Sequence, residues 1–577
     1  MTFAAWMLLG ALAAGPAPPD TLGDGLGSAR LNDYVDRLDA FGFSGQLLLE
    51  QRGRVLLDRS CGLADRRRGT PVTAETVFGI GSITKTFTAA AILRLESEGR
   101  LRVGDPLSAH LPGVPADKAG ITLDELLSHR AGLRLDADLP DAASRDEVVG
   151  RILLQPLGWA PGEGFHYSNI GFDLLAAVVE HASSLDYDTF VRREFLAPAG
   201  MRHTGRAGAP ALAGLPAARG YTEWGEASAL LEWPRAWHGT GAGRMVSNAH
   251  DLLRWAHLLE DSTRFGAGEQ EQMFARHALE PDGTGYGYGM QLTTLSDGTR
   301  LRLHGGDVPG YRSELRMFPD AGRVVVVITN QDIFDLGGQR RAFASTLSRL
   351  ARGDAPELPP ATRPAGDPAD SVVTGTWRLP GGGRIEIRQV DGRLQLSAER
   401  QDAVDLFEAD PLDSAGVRRD ATRRARTFLA AAIDGDSTAA LTVLSREEFE
   451  YGWEFVRGQV ARQVAVHGTV DSVECLGSTT LPYPWIGARC YFRLRFAAGV
   501  RGAFLAWRDD RFDDATFGEE RPAPTLLPVA ALREGGYGAF DMVRTRAIRF
   551  RVGRRADGAR ELRFAAPGAD VVATRER

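Results

Sequence analysis

Lysine is almost absent from this chain. Of 68 basic residues in 577, only Lys85 and Lys118 are lysines, and 66 are arginines. The guanidinium has been accepted at nearly every basic position, so a surviving lysine points to chemistry that needs an ammonium able to lose its proton, which a guanidinium cannot do. Cysteine is scarce as well, with Cys61, Cys475 and Cys490 alone. That excludes a scaffold built on disulfides. One bridge is still expected, between Cys475 and Cys490 on neighbouring strands, where the closed loop would contribute about 3 kcal/mol in the chain-entropy model. Cys61 is expected to pack as a small buried side chain.

Other absences narrow the function. No apolar run reaches the roughly 20 residues of a membrane-spanning helix. Residues 3–14 are apolar and are followed by Pro16, Pro18 and Pro19, which reads as a secretory signal over 1–17 although the positive start is missing. An exported protein, periplasmic or extracellular, is the expectation. A net charge of −7 with both signs interspersed gives no footprint for nucleic acid. No serine carries glycines at both −2 and +2, which excludes the α/β-hydrolase elbow. His-Glu-x-x-His is missing and the histidines lack ligand spacing, so neither a metal nor another cofactor is expected. No internal repeat or low-complexity tract stands out.

What is present centres on Ser82-Ile-Thr-Lys85. Thr84 to Gly99 reads as an amphipathic helix with Phe87, Ala90, Ala91, Leu93 and Leu95 among its apolar members and Gly99 as its stop. Positions i and i+3 share a helix face, so the Lys85 amine can reach the Ser82 hydroxyl. At a helix start, free N–H groups also favour a developing oxyanion. The plainer reading makes Ser82 an N-cap and Lys85 a surface residue of the first turn. An unactivated serine needs a base. Lys85 can serve if desolvated, and Tyr167 can serve as a phenolate if the Lys85 ammonium lowers it. The three form one coupled proton network, in which no single base is assigned from sequence.

Along the chain, residues 30–41 read as helix. Strands are expected at Ser44–Glu50 and Arg54–Arg59, joined across Gln51-Arg52-Gly53. Residues 100–290 are mostly helical segments and Gly/Pro loops. Strand signals return at Arg300–His304, Ser313–Phe318 and Arg323–Asn330, the last two joined by Pro319-Asp320-Ala321-Gly322. Strands at both ends with helices between imply an α+β domain over 28–352, an antiparallel sheet closed by its two ends around a helical insertion. Residues 353–371, with five prolines, read as a linker. Beyond it, 372–416 is expected to be a small β domain. Residues 420–577 are expected to hold a helix near Ala421–Ile433, strands near 464–475, 487–497 and 501–508, and a strand-rich tail. Their pattern resembles the cone-like α+β modules of the cystatin or nuclear-transport-factor kind.

Two further motifs accompany Ser-x-x-Lys: Tyr167-Ser168-Asn169 in a loop before a helix, and Arg302-Leu-His304-Gly305-Gly306 at the end of a strand. In that order the three resemble the serine β-lactamase and penicillin-recognising superfamily, and within it the class C-like branch of D-alanyl-D-alanine carboxypeptidases, D-aminopeptidases and family VIII esterases. Leu126-Leu127-Ser-His129-Arg-Ala-Gly132-Leu133, Gly243-Arg-Met-Val-Ser247 and Tyr286-Gly-Tyr-Gly289 fit the same picture. The resemblance covers roughly residues 30–350. It implies a β-lactamase/transpeptidase-like fold and a serine hydrolase that forms an acyl-enzyme on Ser82, with an ester, D-amino-acid peptide or β-lactam-like compound as substrate. It implies that Tyr167 delivers the leaving-group proton and then activates water, that Asn169 orients Lys85 and binds the substrate amide, and that the backbone N–H groups of Ser82 and Asp307 form the oxyanion hole. The third motif departs from the class C pattern: His304 stands where a lysine would hold a carboxylate, and Asp307 follows closely. Gly305, Gly306 and Asp307 are the expected substrate-binding strand, and Arg302, on the same strand face as His304, is the expected substitute clamp. The competing function is a protein of the same fold that binds muropeptides or a partner without hydrolysis.

Overall fold

The computed structural model describes residues 26–576 apart from 137–143, 223–224, 228–235, 333–337, 357, 363–369, 391–392, 405, 407–414, 481–486, 509–510, 519–524, 533–536, 542–545 and 565–570. The expected signal segment lies outside the described residues. An antiparallel eight-stranded sheet organises the first region, in the order Ala278–Leu279, Gly285–Tyr286, Gln291–Thr294, Arg300–Val308, Tyr311–Phe318, Arg323–Thr329, Gly45–Gln51 and Arg54–Cys61. Strands from the two ends of the region therefore meet in mid-sheet, with Gly45 opposite Thr329 and Gln51 opposite Arg323. The first hairpin turns on Arg52 and Gly53, both at positive φ (51° and 75°), the geometry whose twist matches paired strands.

Why Val324–Ile328 is apolar without alternation follows from the layers. Val324, Val326 and Ile328 enter a core shared with the helical subdomain, whereas Val325 and Val327 enter a second core. Helices Leu26–Ala40 and Gly338–Ala351 supply that second core with Leu31, Val35, Phe343 and Leu347. A strand covered on both faces buries every side chain, and each large one contributes about 1.5–3 kcal/mol.

The expected linker is tied down. Leu358 packs on the second core, Arg37 Nη1 donates to Pro359 O at 2.8 Å, and Thr362 bridges to Leu532.

The C-terminal region corrects two expected boundaries. Residues 372–416 are not a self-contained β domain: Gly375–Arg378, Arg384–Val390 and Arg393–Glu399 close a barrel with five strands between Thr525 and Arg575. Leu394 pairs with Val529, and Trp377 with Arg575. The three short strands alone would leave two open edges, which closure removes. Between the barrel's halves lies an α+β insertion, with helices Ala415–Asp434 and Arg446–His467 beside the sheet Val470–Thr480, Gly487–Phe496, Gly499–Arg508 and Arg511–Gly518. Phe428, Trp453, Cys490 and Trp507 are in its core. The strand expected from 464 begins only at Val470, because the preceding helix runs to His467 and ends on Gly468 at φ +85°.

Candidate active site

Ser82 stands in a one-turn 3₁₀ segment, Gly81–Ile83, that runs directly into the helix Thr84–Ser97. Neither segment has a side-chain N-cap bond, and their capping positions are Ile80 and Ile83, so Ser82 is not spent on capping. Gly81 is obligatory here: its φ is +48°, and a Cβ would lie 2.5 Å from the Asp307 nitrogen. That close approach brings the Ser82 turn against the third-motif strand. Ser313 Oγ donates to Ile80 O at 2.9 Å and Thr84 Oγ1 to Gly81 O at 2.7 Å, fixing the turn from both sides.

The helix behind the turn is buried from Thr84 through Leu93, not on one face as its expected amphipathicity implied. It can be so because its polar side chains are satisfied internally. Thr86 Oγ1 donates to Ile83 O (2.8 Å) and accepts from Trp255 Nε1 (2.8 Å), while Thr88 Oγ1 donates to Gly241 O (2.7 Å).

Lys85 is fully buried in this setting. Its Nζ lies 3.0 Å from Ser82 Oγ, 2.7 Å from Asn169 Oδ1 and 2.9 Å from Ala242 O. Burial brings its pKa down from 10.5 to about 7, with Asp136 and Asp173 opposing the shift from a distance. Each neutral acceptor is itself held. Asn169 opens the helix Asn169–Ser183, whose N-cap Ser168 accepts from Gly171 N–H. Asn169 Nδ2 donates to Asp136 Oδ1 at 2.9 Å, which turns the amide oxygen toward Lys85. Buried Asp173 accepts from the N–H groups of Gly239 (2.7 Å) and Gly241 (3.2 Å) and so holds the loop that presents Ala242 O. Its carboxyl is pushed up to about 7 by burial.

Tyr167 completes the cluster. Its ring centroid is 4.8 Å from Lys85 Nζ and 4.1 Å from the His129 ring. Burial of its hydroxyl raises the phenol above its ordinary value of 10, and a hydrogen bond with Ser82 opposes this only in part. His304 is buried (5% exposed), while the Asp307 carboxylate is half-exposed and pairs with Arg312 Nε at 3.0 Å. Gly306 lies against the Ser82 turn, since a Cβ there would fall 1.8 Å from Ile80 O.

Comparison with known proteins agrees with this architecture. Residues 35–347, more than half of the chain, match the family model described as Beta-lactamase. The chain belongs to the beta-lactamase family. A penicillin-binding protein of Bacillus subtilis is 26% identical over 395 residues, 63% of this chain and 86% of that protein. The protein flp of Staphylococcus aureus is 25% identical over 296 residues, 49% of this chain and 59% of that one. The octameric penicillin-binding protein homologue of Pyrococcus abyssi superposes with a TM-score of 0.50 at 20% identity, over 85% of this chain and 98% of that chain. At that identity the likeness is one of fold. It extends well past the residues that match the beta-lactamase family model.

Within this beta-lactamase-family site, Arg302 does not take the place expected for it. Its guanidinium lies 3.8 Å from the Phe274 ring centroid and 3.8 Å from Glu260. Sharing a strand face with His304 puts it two residues farther along the strand, and there it meets a stacking surface and a carboxylate. Asp136 and Asp173 were missed by the sequence reading. Asp136 lies 33 residues before Asn169 with no motif around it, and Asp173 reads as an ordinary polar member of a helix. His129 and Tyr286 sit in stretches noted for the resemblance, but their spacing gives no hint that they meet.

Proposed function

We propose that this beta-lactamase-family chain is a serine hydrolase that forms an acyl-enzyme on Ser82, with Lys85 as the resting-state base and a carboxylic ester or amide as substrate. The observation that carries it is the partner set of Lys85 Nζ. A neutral amine has two N–H donors and one lone pair. Asn169 Oδ1 and Ala242 O can only accept, so they take the two donors. In the neutral form the lone pair is left for Ser82 Oγ, whose hydroxyl then donates to it instead of accepting an N–H as it does from the ammonium. All three positions of a neutral amine are thus matched, with no carboxylate in direct contact to hold the charged form.

The steps follow from that arrangement. Lys85 takes the Ser82 proton as Oγ attacks the carbonyl. The tetrahedral oxyanion lies between the backbone N–H groups of Ser82 and Asp307, brought near each other by the Gly81 contact. Tyr167, kept protonated by burial, is the acid that supplies the leaving group, and the Lys85 ammonium restores its proton. For deacylation the same pair accepts a proton from the attacking water.

The test is intact-protein mass spectrometry of wild type and Ser82→Ala after brief exposure, in separate tubes, to a fluorophosphonate, a penicillin and a p-nitrophenyl ester. Adducts on wild type alone are expected, with the p-nitrophenyl ester turned over rather than retained. No adduct with any reagent would overturn the reading in favour of a non-hydrolytic binding protein.

A further inference from the structure

Behind Tyr167 runs a line of three hydrogen-bonded side chains that the steps above do not use: His129, Tyr286 and His304. His129 is buried at 1% exposure, in the left-handed backbone region at φ +58°. Its Nδ1 lies 3.0 Å from the backbone N–H of Ser168, its Nε2 3.2 Å from Tyr286 Oη. On the far side, Tyr286 Oη is 3.2 Å from His304 Nε2, and His304 Nδ1 is 2.7 Å from Gly305 O.

The two ends of this line fix the protons inside it. The Ser168 N–H can only donate, so His129 Nδ1 carries no proton and its Nε2–H donates to Tyr286. The Gly305 carbonyl can only accept, so His304 Nδ1 carries the proton. His304 Nε2 is then the acceptor of the Tyr286 O–H. One arrangement satisfies all four bonds, and in it both imidazoles are neutral, of opposite tautomer. A proton added at His304 Nε2 would face an oxygen already accepting from His129 and would leave the tyrosine O–H without its acceptor.

The surroundings act in the same direction. His129 is packed by the rings of Phe165, Tyr167 and Phe172 and lies near Lys85. Burial raises both phenols and so keeps them protonated, with Glu280 adding to this at Tyr286 and Asp307, Glu280 and Asp136 adding to it at Tyr167.

We propose that His129 and Tyr286 are positioning residues that lock His304 as a neutral imidazole with both nitrogens engaged, so that the third motif selects substrates without a carboxylate on the leaving group. The inference rests on the hydrolase reading of Ser82 and narrows its substrate class to esters and amides whose leaving side is uncharged. His304 in this state has no ammonium to offer an anion and no N–H left to turn toward one. Asp136 adds negative charge near the site, Asp307 and Arg312 offset each other as an ion pair, and Arg302 is engaged with Glu260.

Two measurements on the full chain test it. In long-range 1H–15N spectra of histidine-labelled protein between pH 6 and 8, His129 is expected as the Nε2–H form and His304 as the Nδ1–H form. An imidazolium at His304 near pH 7, or the opposite tautomer, would overturn the lock whether or not the protein turns over any substrate. The second compares an acylated thioglycolate, whose leaving group carries a carboxylate, with its methyl ester, both followed by thiol release. Wild type is expected to prefer the methyl ester. Tyr286→Phe should shift the kcat/KM ratio by on the order of 10-fold toward the acid, through KM for the acid, the size expected when a neighbouring group gains charge. A ratio that moves less than about twofold, the spread of ordinary surface changes, would overturn the assignment. Loss of turnover of both thioesters in wild type, with the histidine signals as expected, would sink the hydrolase reading and leave the tautomer lock standing.

Discussion

Of the buried cations, Lys85 and Arg493, one in each region, are partnered in opposite ways. Lys85, in the beta-lactamase region, makes all its direct contacts with neutral oxygens: a hydroxyl, an amide and a backbone carbonyl. Arg493, in the C-terminal insertion and 6% exposed at its side chain, faces the carboxylates of Glu399 at 2.7 Å and Glu474 at 2.8 Å. A buried charge with carboxylates at hand remains charged and fastens parts together, here the insertion strand carrying Arg493 to the barrel strand carrying Glu399. A buried amine given only neutral acceptors approaches neutrality near pH 7 and becomes a base. The difference separates a chemical site from a structural one without reference to any family.

Exchanging the cations should break the comparison most sharply. Lys85→Arg keeps a positive charge but removes the proposed base for the Ser82 proton, and kcat/KM on a p-nitrophenyl ester should fall by about 10³-fold, within the range for lost general-base catalysis. Arg493→Lys should leave the same rate within about twofold, since an ammonium still meets both carboxylates. Equal losses from the two variants would undo the distinction.

The pH profile sharpens it. Lys85 must be deprotonated to act, so kcat/KM should rise with pH through about 7 and then level, with Tyr167 still protonated across the plateau. Asn169→Asp would give Lys85 the kind of partner Arg493 has, a carboxylate at the position now 2.7 Å from Nζ. The ascending limb should then move to higher pH, with a loss of roughly 10–100-fold at pH 7. An unmoved limb would show that the limb belongs to some other group.

How much of this could be read from the sequence depends on whether the signal is local. Val324–Ile328 announces a doubly covered strand by itself, and Ser82-Ile-Thr-Lys85 places the hydroxyl and the amine one turn apart. The barrel could not be read so, because Leu394 and Val529 pair across the whole inserted module. Nothing in the alternation of either segment names its partner. Asp136 and Asp173 were illegible for the same reason, their roles existing only once the loops they hold are folded. The helix ending at His467 does carry a local signal, since Ser445 and Glu448 form a reciprocal capping box that marks its start. The arginine bias identified Lys85 and misled at Lys118, whose buried amine lies 2.6 Å from the neighbouring Asp117 carboxylate.

On the structural side of the comparison, Glu399→Gln removes one of the two carboxylates facing Arg493 but leaves a hydrogen-bonding side chain of the same shape. Stability should drop by about 1–3 kcal/mol, the usual worth of a bond to a charged group, in a denaturant titration. Fluorophosphonate labelling of Ser82 in the folded state should be unchanged. A labelling rate that falls together with stability would mean that the two regions are coupled at the site.

The smallest effect is expected at the cysteines. Cys475 and Cys490 do lie on adjacent strands, as their spacing suggested, but the bridge expected between them is not formed and none of the three cysteines is in a disulfide. Cys475 faces Phe492 and Cys490 faces Ser478, and a bulge between Cys475 and Gly477 adds one residue to the offset. Each cysteine is thus two or three residues from the other's partner, and bridging needs the two Cβ atoms opposed. Cys490 is further disarmed by burial in the insertion's core, which pushes its thiol up to about 12 and keeps it from forming the thiolate that exchange requires. Alkylation after denaturation without reductant should therefore modify three cysteines, and Cys475→Ser should change stability by no more than about 0.5 kcal/mol. Two unreactive thiols, with a mass lower by two hydrogens, would show that the strands can slide into the bridged register.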